Sequence, residues 1–223
     1  MKVLIGANSE LTIRLVNEFK DKEDLVLVGR SVPPNIDLND KLLFLKTDYS
    51  DISWCHQVAK FDNLQIIFVG TNVGPGLLVN LEQKEISAVL KFEIEFAINC
   101  VKFLIPEMLK KNYGRFIYMG SKESSRGVVG GGLYSIVKNA QIGLSRSTAV
   151  EYAKFGITSN VIQLGYLPFG YSTKLKSVEV DNLKRRIPTN ESLSVADIAS
   201  LIKTLCESES INGAVIDVDQ AVR

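Results

Sequence analysis

Short runs of apolar, often β-branched residues recur along the chain, separated by longer amphipathic stretches. The runs are KVLI (2–5), LVLVG (25–29), LLFLKTD (42–48), LQIIFVG (64–70), GRFIYMGS (114–121), ITSNVIQLG (157–165) and GAVIDVD (213–219). A strand with one solvated face alternates apolar and polar residues, whereas these runs are apolar at successive positions, so both faces must be covered. Between them, 11–20, 82–111, 134–154 and 194–207 carry helical periodicity, and Ser194 and Asp197 stand in capping-box-like spacing. Strands alternating with helices predict an open, doubly wound parallel α/β sheet of about seven strands, of the Rossmann type. With 223 residues and neither repeat nor linker, one domain over 1–223 is expected. The segment from Pro168 to Pro188 mixes Gly, Pro, Ser and charge and is expected to be an irregular lid over a ligand.

Charge narrows the partners. Twenty-six basic and 25 acidic residues leave a net charge of +1, so no global field draws the chain to nucleic acid or a membrane surface. The longest apolar runs, such as Ile66 to Val69, are far too short to span a bilayer. The N-terminal stretch reaches Gly6 and polar residues too early for a signal peptide, and a cytoplasmic protein is expected. Cys55, Cys100 and Cys206 sit widely spaced among apolar neighbours and read as small buried hydrophobes. His56 is the only histidine, with no ligand cluster around it, so no metal site is expected.

In such a sheet, ligands bind beyond the carboxyl ends of the strands. After the first strand comes GANSEL: Gly6 can turn the chain tightly, and Asn8, Ser9, Glu10 and Leu11 lead into a helix N-terminus that favours phosphate. Glu10 and Thr12 stand where a dinucleotide loop usually has glycines, and a plain strand-to-helix turn explains the stretch equally well. After the second strand, Arg30 and Ser31 lie where an adenosine ribose would fall. A guanidinium there suits a 2′-phosphate and favours NADP(H) over NAD(H), or else it is a solvated loop arginine. After the third, Asp48 and Tyr49 follow; Asp48 can accept from an adenine amino group or cap a helix. After the fourth, Gly70 permits close backbone approach to a ligand.

The strongest constellation is GRFIYMGSKESS, whose strand ends at Ser121, followed by GGGLYSIVK, with Tyr134 thirteen residues on and Lys138 four further. If 134–138 is helical, phenol and ammonium share one face. This serine and Tyr-x-x-x-Lys, continued through YSIVKNAQIGLSRSTAVEYAKFGITSNVIQLG and SVADIASLIKTLCESESINGAVIDVD, resemble the short-chain dehydrogenase/reductase family, most nearly its 3-oxoacyl-carrier-protein reductase type, with a degenerate glycine motif. The resemblance implies interconversion of a carbonyl and a secondary alcohol by hydride transfer with NADP(H). In it Tyr134 is general acid/base, Ser121 holds the carbonyl, and Lys138, helped by the positive nicotinamide of an oxidised cofactor, lowers the phenol's pKa and also binds cofactor ribose. It puts Glu93, in KFEIEF, where many members carry a proton-relay asparagine. It assigns cofactor contacts to Gly165 and Leu167 after the sixth strand, and a substrate wall to Phe169, Tyr171 and Leu175. It also implies a small-molecule substrate and a homodimer or homotetramer built through the helices of 82–111 and 134–154. The altered Glu10, Thr12 and Glu93 leave a second reading open, a binding or regulatory protein on the same fold with weakened catalysis. A third is a structural subunit.

Overall fold

The computed structural model describes residues 1–70, 73–174 and 177–222. Seven strands form one parallel sheet: β1 Lys2–Ile5, β2 Leu25–Gly29, β3 Leu42–Lys46, β4 Gln65–Phe68, β5 Gly114–Ser121, β6 Ile157–Leu164 and β7 Val215–Val218, in the order β3-β2-β1-β4-β5-β6-β7. β1 pairs with β2 on one side, Leu4 opposite Leu27, and with β4 on the other, Leu4 opposite Ile67. The order reverses between β1 and β4, which makes that crevice the topological switch point.

The helices are α1 Glu10–Phe19, α2 Trp54–Val58, α3 Gln83–Leu90, α4 Phe96–Lys111, α5 Lys122–Arg126, α6 Gly132–Tyr152, α7 Ser177–Arg185 and α8 Val195–Glu207. They bury the sheet from both sides, as the doubly apolar strand runs require. On one side Val3, Ile5, Phe116 and Tyr118 pack with Trp54 of α2 and Phe96, Cys100 and Leu104 of α4. On the other Leu4, Leu27, Ile67 and Ile117 pack with Leu11 and Leu15 of α1 and Ile198 and Ile202 of α8. Cys55, Cys100 and Cys206 are all buried.

Three elements depart from expectation. The helix expected over 82–111 is interrupted by a π turn, Lys91–Glu95, between α3 and α4. Such a turn widens the helix by one residue and occurs preferentially at functional sites. The segment 168–188 is more regular than its composition suggests, carrying a 3₁₀ turn at Gly170–Lys174 and then α7. The N-cap of α8 is Ser194, whose side chain accepts from the Ala196 amide at 3.2 Å rather than closing a capping box on Asp197.

At the switch point two glycines touch. Gly6 takes φ +99°, and a Cβ on it would lie 2.5 Å from the Cα of Gly70. The close approach expected of Gly70 is thus made by the chain's own backbone, so the ends of β1 and β4 meet as no side-chain-bearing residues could.

Candidate active site

β5 delivers Ser121 to the C-terminal edge of the sheet, and the short α5 and a glycine-rich turn bring the chain back so that Tyr134 falls in the first turn of α6. The Ser121 side chain lies beside Tyr134, as a hydrogen-bonding neighbour that favours the ionised phenol. Lys138 follows one turn later, its Nζ 5.9 Å from the Tyr134 ring centroid. The local fold thus assembles the three residues predicted from their spacing.

The electrostatics differ from expectation. Burial pushes the Tyr134 phenol above its ordinary pKa, the Ser121 hydrogen bond partly counters this, and the negative charge of Glu93 adds to the rise. The Lys138 ammonium beside the ring is itself buried. Its Nζ donates to the Met119 carbonyl at 2.9 Å and to Gln141 Oε1 at 3.3 Å. Burial lowers the lysine pKa, and Glu93 opposes that shift.

Glu93 lies in the π turn and is 4% exposed. Its Oε2 accepts from Gln141 Nε2 at 3.4 Å, so the relay position is joined to Lys138 through an amide that the sequence reading missed. A signal was present: Leu133, Val137, Gln141 and Ser145, spaced by four, form one buried stripe of α6, and a glutamine there needs polar partners. Beside it a cavity of 20 Å³ is bounded by Gly6, Tyr49, Gly70, Glu93 and Gln141. A surface depression of about 670 Å³ is lined by residues such as His56, Lys60 and Phe103 and by none of the predicted site residues.

The predicted cofactor residues gather along the same edge but play unequal parts. Asn8 donates through Nδ2 to the Ser31 hydroxyl at 3.2 Å, joining the loops after β1 and β2. Arg30 is exposed in the second of these loops. Ser9 precedes α1 in extended backbone, and its side chain makes no capping bond to the helix. Leu11 is buried in the core, so only its backbone can face the crevice. Thr12, in a glycine's usual place, is buried and donates to the Gly6 carbonyl at 2.8 Å.

Glu10 turns sideways. Oε1 pairs with Arg14 at 2.7 Å and Oε2 accepts the Gly170 amide at 2.8 Å, while the Arg14 guanidinium lies 4.3 Å from the Phe169 ring centroid. α1 is thereby tied to the segment after β6. Phe169 is buried in that contact and in the core behind it rather than forming an exposed substrate wall. Leu167 packs partly against the same core, and its carbonyl accepts from the Ser172 hydroxyl at 2.5 Å. Gly165 sits against Asp219, which a Cβ would meet at 2.7 Å from its Cα.

Two assignments are reshaped. Asp48 is exposed and caps its own loop rather than a helix: Oδ1 accepts from the Ser50 amide at 2.9 Å and the Ser50 hydroxyl at 2.6 Å, which lowers its pKa. Tyr49 takes φ +67° and points into the core, edge-on to Phe92 at 4.2 Å and Phe96 at 5.1 Å. Of the substrate residues, Leu175 and the Tyr171 side chain lie outside the described residues.

The residues present fit a dinucleotide in most respects: a switch-point crevice, the amide-rich N-terminus of α1, the hydroxyls of Ser9 and Ser31, and an exposed guanidinium at Arg30. At the N-terminus of α1 the Glu10 carboxylate is of the wrong sign for a phosphate.

Comparison with known proteins agrees. Residues 56–222 match the family described as enoyl-(acyl carrier protein) reductase. The chain is 31% identical to the 3-oxoacyl-(acyl-carrier-protein) reductase FabG of Buchnera aphidicola subsp. Acyrthosiphon pisum over 134 residues, 60% of this chain and 55% of that protein. It is 23% identical over 231 residues to the protein of the same name from Buchnera aphidicola subsp. Baizongia pistaciae, 97% of this chain and 94% of that one. The chain thus spans little more than half of the first relative and nearly all of the second. Its fold superposes on that of ElxO, solved with NADP bound, with a TM-score of 0.85 at 21% identity over 99% of this chain and 98% of that one. With that match running through the strand, turn and helix that carry Ser121, Tyr134 and Lys138, the chain belongs to the short-chain dehydrogenase/reductase family.

Proposed function

We propose that this chain, acting as one nucleotide-binding and catalytic unit, is an NADP(H)-dependent oxidoreductase that interconverts a carbonyl and a secondary alcohol of a small molecule. The observation that carries the reading is the placement of Ser121 beside Tyr134, with Lys138 one turn behind it, its Nζ 5.9 Å from the phenol ring centroid, at the carboxyl edge of the sheet. The cofactor, when bound, supplies or accepts the hydride. Asn8, Ser9, Ser31 and the first amides of α1 would hold its phosphates, Arg30 a 2′-phosphate, and Lys138, through its third N–H, a ribose hydroxyl. Ser121 orients the carbonyl oxygen, and Tyr134 gives that oxygen its proton in reduction and removes it in oxidation. ElxO and the Buchnera reductases support the choice of cofactor class and reaction class.

The test has two arms. Tyr134→Phe is expected to lower turnover about 10²- to 10⁴-fold while NADPH affinity stays near wild type, and wild-type turnover in this variant would remove Tyr134 from the chemistry. Fluorescence titration is expected to show NADPH binding more tightly than NADH, and equal affinities would remove the role given to Arg30. A second reading, a binding protein with weakened catalysis, draws support from the Glu10 carboxylate at the N-terminus of α1. Absence of NADPH binding at millimolar concentration would favour it.

A further inference from the structure

Gln141 belongs to no part of the chemistry assigned so far, yet it is one of the more constrained polar side chains in the molecule. It is 3% exposed, on the stripe of α6 that carries Leu133 and Val137 inward. A buried amide is destabilising unless both its ends are paired. Here Oε1 faces the Lys138 ammonium and Nε2 faces the Glu93 carboxylate. An ammonium only donates and a carboxylate only accepts, so a neutral group between them must do the reverse at each end, which an amide does. At 3.3 and 3.4 Å both links are at the long end of hydrogen bonding.

We propose that Gln141 is a positioning residue of the reaction: by bridging Lys138 to Glu93 it holds a buried carboxylate where it keeps the lysine charged and aimed along α6 at Tyr134. The proposal rests on Tyr134 and Lys138 being the working pair. The groups facing Lys138 are Tyr134 and Gln141 on its own helix, the Met119 carbonyl on β5, and Glu93 from the π turn. Among the described residues, those facing Glu93 include Gln141, Lys138, Tyr134 and Tyr49. The adjoining cavity of about 20 Å³ has room for about one water, and it borders Glu93 and Gln141 but not Lys138, so a water there would not stand in for the bridge. Glu93 opposes the fall in Lys138's pKa caused by burial, so breaking the bridge lets the lysine lose its proton at lower pH.

Three variants test this: Gln141→Leu, which keeps volume and removes both hydrogen bonds, Gln141→Met, which is more forgiving of packing, and Glu93→Gln, which keeps shape and removes charge. Thermal melts identify which of them fold, and kcat, KM and pH profiles are measured with NADPH. The expected result is a loss in kcat of between about 10- and 100-fold with KM for NADPH within about twofold. The alkaline limb of kcat should also move down by about one pH unit, in a Gln141 variant and in Glu93→Gln alike. The Glu93→Gln/Gln141→Leu double variant should be no worse than the poorer of its two single variants, since the two act through one link. A folded Gln141 variant with a wild-type alkaline limb, or penalties that simply add, would overturn the proposal and leave Gln141 a packing residue. Wild-type turnover by Tyr134→Phe would instead overturn the underlying assignment of the acid.

Discussion

Tyr134 carries its proton in a site that resists losing it. Burial and the nearby Glu93 raise the phenol, and only the Ser121 hydrogen bond works against them. The sign of the consequence differs by direction. Reduction consumes the phenol's proton, and an acid with a raised pKa stays protonated through neutral and mildly alkaline pH. Carbonyl reduction is therefore expected to hold its rate across that range. Oxidation needs the phenolate, so its rate should climb steadily with pH and show no plateau below about pH 9. Initial rates in both directions over one pH series check this, and an oxidation plateau near neutrality would contradict it. Ser121, Tyr134 and Lys138 were readable in the sequence because helix pitch fixes Tyr134 against Lys138 locally. The direction of the phenol's shift was not, since the expectation of a cation-lowered pKa took no account of burial. Gln141 and Glu93 escaped notice as a pair because 48 residues separate them.

At the scale of elements, α1 is held by more than its core stripe. Glu10 and Arg14 on its first turns clasp Phe169 and Gly170, joining positions 160 residues apart in sequence. The Arg14 hydrogen bond and then the Gly170 amide lower the Glu10 pKa, so the tie is complete above the ordinary glutamate range and is released only as pH falls through the lowered value. The same carboxylate stands at a helix N-terminus otherwise suited to phosphate. Glu10→Gln is expected to tighten NADPH binding about fivefold at low salt, from about 1 kcal/mol of repulsion at a solvated site. The gain should shrink as salt is raised. Titrations at two ionic strengths measure both effects, and unchanged or weaker binding would mean that Glu10 keeps clear of the phosphates. The sequence placed Glu10 in the cofactor loop but could not reveal its partner across the crevice. Nor could it reveal the π turn at Lys91–Glu95, since widening a helix depends on what packs against it.

For the molecule as a whole, strand runs apolar at successive positions were sufficient to indicate a parallel sheet covered on both faces, because in a buried sheet the demand for apolar residues falls on every position. What remained beyond reach was the contact made at its crevice. Outside the core, Ile98 on α4 and Ile136 and Val150 on α6 are 45%, 51% and 83% exposed, which supports self-association through these helices. Light scattering is expected to return a dimer or tetramer and Val150→Asp a smaller species, whereas a wild-type monomer would exclude this interface. The crevice itself has a different character. Gly6 and Gly70 meet main chain to main chain, and a Cβ on Gly70 would lie 2.9 Å from the Cα of Gly6. Neither position has room for a side chain, so the floor of the cleft is closed to variation by substitution. Divergence in what the cleft accepts must arise at its rim, in loops that can change without separating β1 from β4.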